Sequence, residues 1–323
     1  MNAVVASRRQ KTGSSRKWRT ICLFLLPALV LYGVMVLLPI VQAAFYSLYR
    51  WNGLQPLNDF VGLGNYQRAF ESDQFTGAVS HNVAIVVLSL AIQIPCALGL
   101  AVFLNQRFPG RTLFRVIFFL PYVISEVVTG IIFFLILKPN SIFNNALNNV
   151  GAGNSTRDWL GLTDSIHLGI GPISFVLPAV LAVLFVIISW KYFGLHMILL
   201  LAGLQGIPRE LHEAAVIDGA NRWQAFRHIT LPLLGPTLRV SIFLSVIGAF
   251  QLFDIIYATT RGGPVHKSDT VAYYMYDYGL KRQQMGYGSA VAVLLFMMCF
   301  VFALLYQRFV MRRDTEGALT YAG

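Results

Sequence analysis

The chain has 323 residues, 56% of them hydrophobic and only 12% charged, a charged share far below that of a soluble domain, so it reads as an integral membrane protein. Its net charge of +11 does not mark a nucleic-acid binder, because the basic residues gather at the edges of apolar runs rather than along one face; membrane lipid headgroups are the expected counter-charge. No Gly-Lys pair occurs, and so no phosphate-binding glycine loop, and no serine, histidine and carboxylate set stands out, which leaves neither a P-loop ATPase nor a hydrolase within the chain.

Residues 1–19, basic and interrupted by Gly13-Ser14-Ser15, read as a solvated tail. Six apolar runs follow, near 21–48, 82–104, 114–137, 174–202, 236–259 and 288–310, each suited to a helix of about 20 residues that crosses a bilayer. The first is about twice the length of a signal-peptide core and is taken as a span. An even number of spans puts both ends on one side, and the basic residues say which. Arg16, Lys17 and Arg19 precede the first span, Arg107, Arg111 and Arg115 separate the second from the third, and Arg308, Arg312 and Arg313 follow the last. Both termini are therefore expected in the cytoplasm, together with the loop 203–235 and a second short tail, 311–323.

Other residues in the runs read as membrane packing. Cys22, Cys96 and Cys299 have no close partner and no histidine at ligand spacing, so no metal site is expected. Pro95, Pro121 and Pro178 are expected to kink their helices. Tyr46, Tyr49 and Trp51 fit an interfacial belt at the external end of the first span, and Arg239 is expected to snorkel to the cytoplasmic edge.

The polar loop between the fourth and fifth runs carries the strongest local signals. Pro208 suits the first position of a helix, and Glu210 and Glu213 place negative charge in its first turns, where the helix dipole favours it. Gly219 can close that helix. Asn221, with Gln224 three residues on, has the spacing of a capping box for a second short helix, with Arg227 and His228 in its last turn and Pro232 as its stop. Ala214 and Ala215 leave part of the first helix bare, so another protein can approach its backbone. Trp223, on the second helix, can face such a partner or the chain's own cytoplasmic ends.

Glu213-Ala214-Ala215, three residues, Gly219, nine residues, Ile229, one residue and Leu231-Pro232 resemble the EAA signature of membrane subunits of ATP-binding-cassette (ABC) importers. The resemblance implies an all-α, six-helix bundle of the type I (MetI-like) permease fold over 20–310, in a bacterial cytoplasmic membrane. It implies that the loop docks on a separate ATPase and transmits its closure, and that the chain itself does no chemistry. The implied partners are two ATPase subunits that hold ATP and Mg, a second homologous permease subunit and an extracytoplasmic solute-binding protein. Gly62-Leu63-Gly64-Asn65-Tyr66, Gly262-Gly263-Pro264 and the Trp190-Lys191 pair resemble the carbohydrate-importing branch in its plain six-helix form, which implies a di- or oligosaccharide cargo moved by alternating access.

Ionisable residues within spans call for a functional reading. On straight helices rising 1.5 Å per residue, Glu126 and Lys191 lie at about equal depth, roughly 17 to 18 Å from the cytoplasmic side, which predicts a pair. That pair reads either as structural or as a polar patch on the substrate path. Phe250, Asp254 and Tyr257, spaced i, i+4 and i+7 with Gln251 beside them, share one helical face. Such a face suits a sugar's hydroxyls and C–H surface, or else serves helix packing near the headgroups. Two other readings stay open. Arg261 and Lys267 would suit an anionic cargo such as glycerol phosphate, and Glu126 or Asp254 would serve as a proton or cation site in an ion-coupled secondary transporter.

Overall fold

The computed structural model describes residues 14–151, 156–170 and 173–311. Continuous apolar helices span Ile21–Tyr46 (α1), Asp73–Asn105 (α3), Ala179–Gln205 (α7) and Met285–Met311 (α13). Two further apolar stretches are bent helix pairs. Arg111–Val123 (α4) and Glu126–Leu137 (α5) meet at 96°, and Arg222–Leu233 (α9) joins Gly235–Phe250 (α10) at 66°. Short helices Gly64–Glu71 (α2), Ile142–Asn149 (α6), Arg209–Ile217 (α8), Asp254–Ala258 (α11) and Val271–Tyr276 (α12) connect them. The mainly helical expectation holds, with four continuous helices long and apolar enough to cross a membrane and up to six if each bent pair is one span, and with one addition: an antiparallel ribbon of Ser165–Ile170 (β1) and Ile173–Pro178 (β2), with Ser165 opposite Pro178.

Three of the expected spans change in detail. The third is not one helix, because Ile124 and Ser125 adopt extended backbone (ψ 139° and 143°) and separate α4 from α5. The fourth begins only at Ala179, because the residues before it form β2; Pro178 starts the helix and does not kink it. The fifth ends at Phe250: Gln251 and Phe253 leave the helical region, and a new helix begins at Asp254.

Proline is accommodated in a recurring way. The backbone N–H of Leu38, Ile94 and Leu231 each reaches five residues back, to Gly33, Ser89 and Phe226, and the next residue is Pro39, Pro95 or Pro232. A proline inside an α-helix lacks a donor and strikes the carbonyl four residues earlier; a single π turn just ahead of it widens the helix and removes that conflict. So Pro95 lies within an uninterrupted helix, and Pro232 does not stop α9, which runs on to Leu233.

The core lies between α3 and α7. Ile85, Leu181, Leu184, Ile187 and Ile255 form one buried cluster, and Ala97, Leu104, Met197, Leu200 and Leu234 form another toward the C-terminal ends of α3 and α7. Small residues set the closest approaches. A Cβ on Gly194 would collide with the Phe118 carbonyl where α7 meets α4, and one on Gly130 would lie 2.5 Å from the Ala258 Cβ where α5 meets α11. Buried Asn82 ties three elements together, donating to the Ala249 carbonyl and accepting from Val271 N–H at 2.9 Å. Asn65, in the glycine-flanked stretch 62–66, donates to the Ser47 and Tyr49 carbonyls at 2.8 and 2.9 Å, satisfying the open end of α1. By contrast α1 leaves its apolar side chains outside the fold, with Leu23 and Phe24 71% and 79% exposed, a face suited to lipid or another subunit.

Candidate functional site

The loop between α7 and α10 folds as two helices hinged at Gly219. Helix α8 starts at Arg209, with Pro208 one position earlier than expected, as the N-cap. Its end is a Schellman motif. Ala220 N–H bonds to the Ala215 carbonyl at 2.9 Å and Gly219 N–H to the Val216 carbonyl at 3.1 Å, with Gly219 left-handed at φ 79°. The next helix opens with a reciprocal capping box, in which Asn221 N–H bonds to Gln224 at 2.8 Å and Gln224 N–H to Asn221 at 2.9 Å. His212 and Thr230 join the two helices by a side-chain bond of 3.1 Å.

The outer face differs from the expected one. Glu213 and Ala214 are exposed, but Ala215 turns inward. Val216 and Ile217 are 70% and 85% exposed, and Trp223, 66% exposed, stacks on Phe226 at 5.7 Å. Together they form an apolar patch beside a glutamate. Ile229 and Leu231 are half-buried and Pro232 is exposed; these residues frame the bend into α10. The Val216-Ile217 pair was the signal missed, two β-branched residues next to a helix-closing glycine.

Within the membrane region, Glu126 and Lys191 do not form an ion pair. Buried Lys191 donates to the Tyr122 carbonyl at 3.2 Å and to that of Ile124, capping the end of α4 at its break. Glu126 instead accepts from the Tyr192 hydroxyl. Equal depth requires a straight third helix, and the 96° bend between α4 and α5 removes that condition. The face predicted from Phe250, Asp254 and Tyr257 is likewise split. Phe250 and Gln251 close α10, and Asp254 opens α11. Tyr257 belongs to a ring cluster with Phe253 and Tyr276, at 5.5 and 5.4 Å. Glu126 and Asp254 stand at the first positions of α5 and α11 and both lie within electrostatic reach of Tyr192.

Tyr192 also lines a cavity of about 130 Å³ between α3, α7 and α10. Its polar lining is Ser89, Gln93, Tyr192, His196 and Ser245, among apolar Ile85, Ile188, Leu195 and Leu252. His196 bonds Ser241 at 2.7 Å. Gln93 is 3% exposed, and its amide nitrogen has no partner, a costly state in an apolar interior. The lining holds no arginine, lysine or carboxylate. Such a set can exchange hydrogen bonds with a neutral polyhydroxylated molecule and offer an aromatic face, but it cannot neutralise an anion. At ~30 Å³ per water the space holds about four waters. Among the described residues no cluster of His, Cys, Asp or Glu is placed to hold a metal.

The family described as "Binding-protein-dependent transport system inner membrane component" matches residues 93–315. A probable ABC transporter permease protein, YurN, of Bacillus subtilis is 34% identical over 89% of this chain and 94% of its own length. The trehalose/maltose transport system permease protein MalF of Thermococcus litoralis is 33% identical over 88% of this chain and 91% of its own. The multiple sugar-binding transport system permease protein MsmF of Streptococcus mutans is 33% identical over 87% and 92%. The crystal structure of a bacterial ABC transporter that imports the acidic polysaccharide alginate has a chain of the same fold. Its TM-score is 0.76 at 23% identity, covering 92% of this chain and 96% of that one.

Proposed function

Because this chain belongs to the family of binding-protein-dependent transport system inner membrane components, we propose that it is the permease subunit of an ATP-driven importer for a neutral di- or oligosaccharide. The observation that carries this reading is the loop of α8 and α9, a rigid hinge bearing an exposed glutamate and an apolar patch, on the side where the basic residues place the cytoplasm. One of two ATPase subunits, which hold ATP and Mg, would grip Glu213, Ala214, Val216 and Ile217. Gly219 would set α8 against α9, and Ile229, Leu231 and Pro232 would hold the bend into α10. Closure of the ATPases then moves α10 against α3 and α7 and opens or closes the cavity between them. A nucleotide shifts such an equilibrium only through contacts that differ between the two states, and this patch is where they would differ.

The cargo meets the chain at the cavity. Its neutral lining favours a sugar over glycerol phosphate, and MalF and MsmF, named for sugar transport, support the same class. Lys267, a candidate cation for an anionic cargo, is engaged by the Thr163 carbonyl. A cavity of about 130 Å³ is too small for a disaccharide, so loading requires the helices to part. A second permease subunit would complete the path, with a solute-binding protein delivering cargo on the external face and both termini in the cytoplasm. The test is uptake of radiolabelled disaccharides into vesicles holding this chain, its partner permease, the ATPase and the binding protein. ATP-dependent uptake that is lost on altering Glu213 supports the reading; uptake driven by a proton gradient without the ATPase overturns it.

A further inference from the structure

A second concavity, of about 670 Å³, opens at the cytoplasmic ends of α3, α4 and α7. It is lined by Arg107, Arg111, Arg115 and Arg209, with His212 and the amides of Asn105 and Gln205. Among the described residues none of these guanidinium groups pairs with a carboxylate. Arg115 spends one nitrogen on the Leu104 carbonyl at 3.1 Å, while its Nε is buried without a partner. Arg111 and Arg209 begin α4 and α8, so two helix N-termini add their positive ends. The basic residues come from two segments about a hundred positions apart in sequence. The charge bias that orients spans requires bases in the cytoplasmic loop but not their convergence on one hollow.

We propose that this hollow binds the phosphate of an anionic phospholipid headgroup in the cytoplasmic leaflet. Planar guanidinium forks match phosphate oxygens bidentately, and several together suit a phosphodiester better than a single carboxylate. Depth favours lipid as the source. The hollow is floored by the ends of three membrane helices, and α4 continues from it with Leu113, Phe114, Val116 and Ile117 at 62%, 45%, 56% and 53% exposure, an apolar wall along which acyl chains would lie. Arg209 and His212 belong to α8, and His212 also bonds Thr230 of the next helix. A bound headgroup therefore ties the two-helix loop to the membrane face of α3 and α4. The effect on coupling rests on the transport reading above; the binding itself does not.

The test is native mass spectrometry of the purified full chain in detergent, titrated with dioleoyl phosphatidylglycerol or dioleoyl phosphatidylcholine. Phosphatidylglycerol is expected to bind preferentially, and Arg111→Gln with Arg209→Gln should weaken it about tenfold or more. Arg111→Lys with Arg209→Lys should retain most of the binding, which separates loss of charge from loss of fold. Arg308→Gln, a charge removed at the same membrane face outside the hollow, should have little effect. Equal binding of phosphatidylglycerol by the double glutamine variant overturns the site. Displacement of the lipid by millimolar inorganic phosphate, with equal thermal stabilisation, overturns the lipid in favour of a soluble phosphate compound. Loss of ATPase co-purification in the double glutamine variant with lipid binding unchanged overturns it in favour of a protein contact.

Discussion

Lys191 caps the end of a broken helix by donating to the Tyr122 carbonyl, 3.2 Å away, while Glu126, its expected partner, takes the hydroxyl of Tyr192. A lysine that satisfies orphan carbonyls at a break has a different mutational signature from one in an ion pair. Lys191→Met should be strongly destabilising, by about 2 to 4 kcal/mol, because it leaves buried carbonyls without donors. Glu126→Gln keeps an acceptor for Tyr192 and should cost under about 1 kcal/mol. Thermal unfolding of the detergent-solubilised chain should give a double-mutant coupling below about 0.5 kcal/mol; a coupling of several kcal/mol would restore the ion pair.

Gly219 fixes the angle between α8 and α9. Its φ of 79° is left-handed, and a Cβ there would meet nothing within 4 Å. Substitution is therefore opposed by backbone conformation alone, by about 1 to 2 kcal/mol for an ordinary residue and less for asparagine. Gly219→Val should reduce sugar uptake and cargo-stimulated ATP hydrolysis severalfold while the folded fraction stays high, and Gly219→Asn should retain most of both. Equal activity in the valine variant would mean that the hinge angle is unimportant.

The two-helix loop was legible because its signals are local: a glycine at C′, Asn221 and Gln224 at capping-box spacing, and a polar stretch between apolar runs. The apolar stretches themselves were legible from hydropathy for the same reason. The breaks at Ile124-Ser125 and after Phe250 were not, because apolar composition reports burial in lipid and says nothing of backbone dihedrals. Both geometric expectations that fail, the Glu126 and Lys191 pair and the single helical face of Phe250, Asp254 and Tyr257, followed from carrying a helix straight through such a break. Pro95 and Pro232 show the converse, since the π turn that admits each leaves no trace in its sequence neighbourhood.

The crossing of α5 and α11 depends on the absence of one methyl group. A Cβ on Gly130 would sit 2.5 Å from the Ala258 Cβ and 3.4 Å from the Ile255 carbonyl oxygen. Gly130→Ala should lower the melting temperature, at about 1 to 3 kcal/mol for overpacking. Adding Ala258→Gly removes the facing methyl and should recover much of that loss. Failure of the second change to compensate would place the conflict in the backbone.

Asp269, in the segment between α11 and α12, is buried beside His266, with the His266 Nδ1 to Asp269 Oδ2 distance at 2.7 Å. Burial pushes its carboxyl up from 3.8 to about 6, against the lowering effect of His266. A carboxyl whose folded value is raised contributes stability that is present in full below the unfolded value and is lost as pH rises through the folded one. Melting temperature should thus fall between about pH 4 and pH 6 on this group's account, a change of about 3 kcal/mol at most. Asp269→Asn, which cannot ionise, should flatten that slope.

Gln93 separates a transport role from a packing role. Its amide nitrogen is buried without a partner at the wall of the cavity shared by Tyr192, His196 and Ser245. If the side chain only packed, Gln93→Leu would relieve an unsatisfied polar group and leave uptake unchanged. If the amide serves cargo hydroxyls, the same variant should melt at an equal or higher temperature yet raise the sugar concentration for half-maximal uptake about fivefold or more, since each lost hydrogen bond to a neutral ligand is worth roughly 1 kcal/mol. Ser245→Phe is the complementary test. It fills the cavity from α10 and should abolish uptake while leaving the loop, and with it basal ATP hydrolysis by the assembled complex, intact. Greater stability with weaker uptake in Gln93→Leu is the combination that a structural glutamine cannot produce.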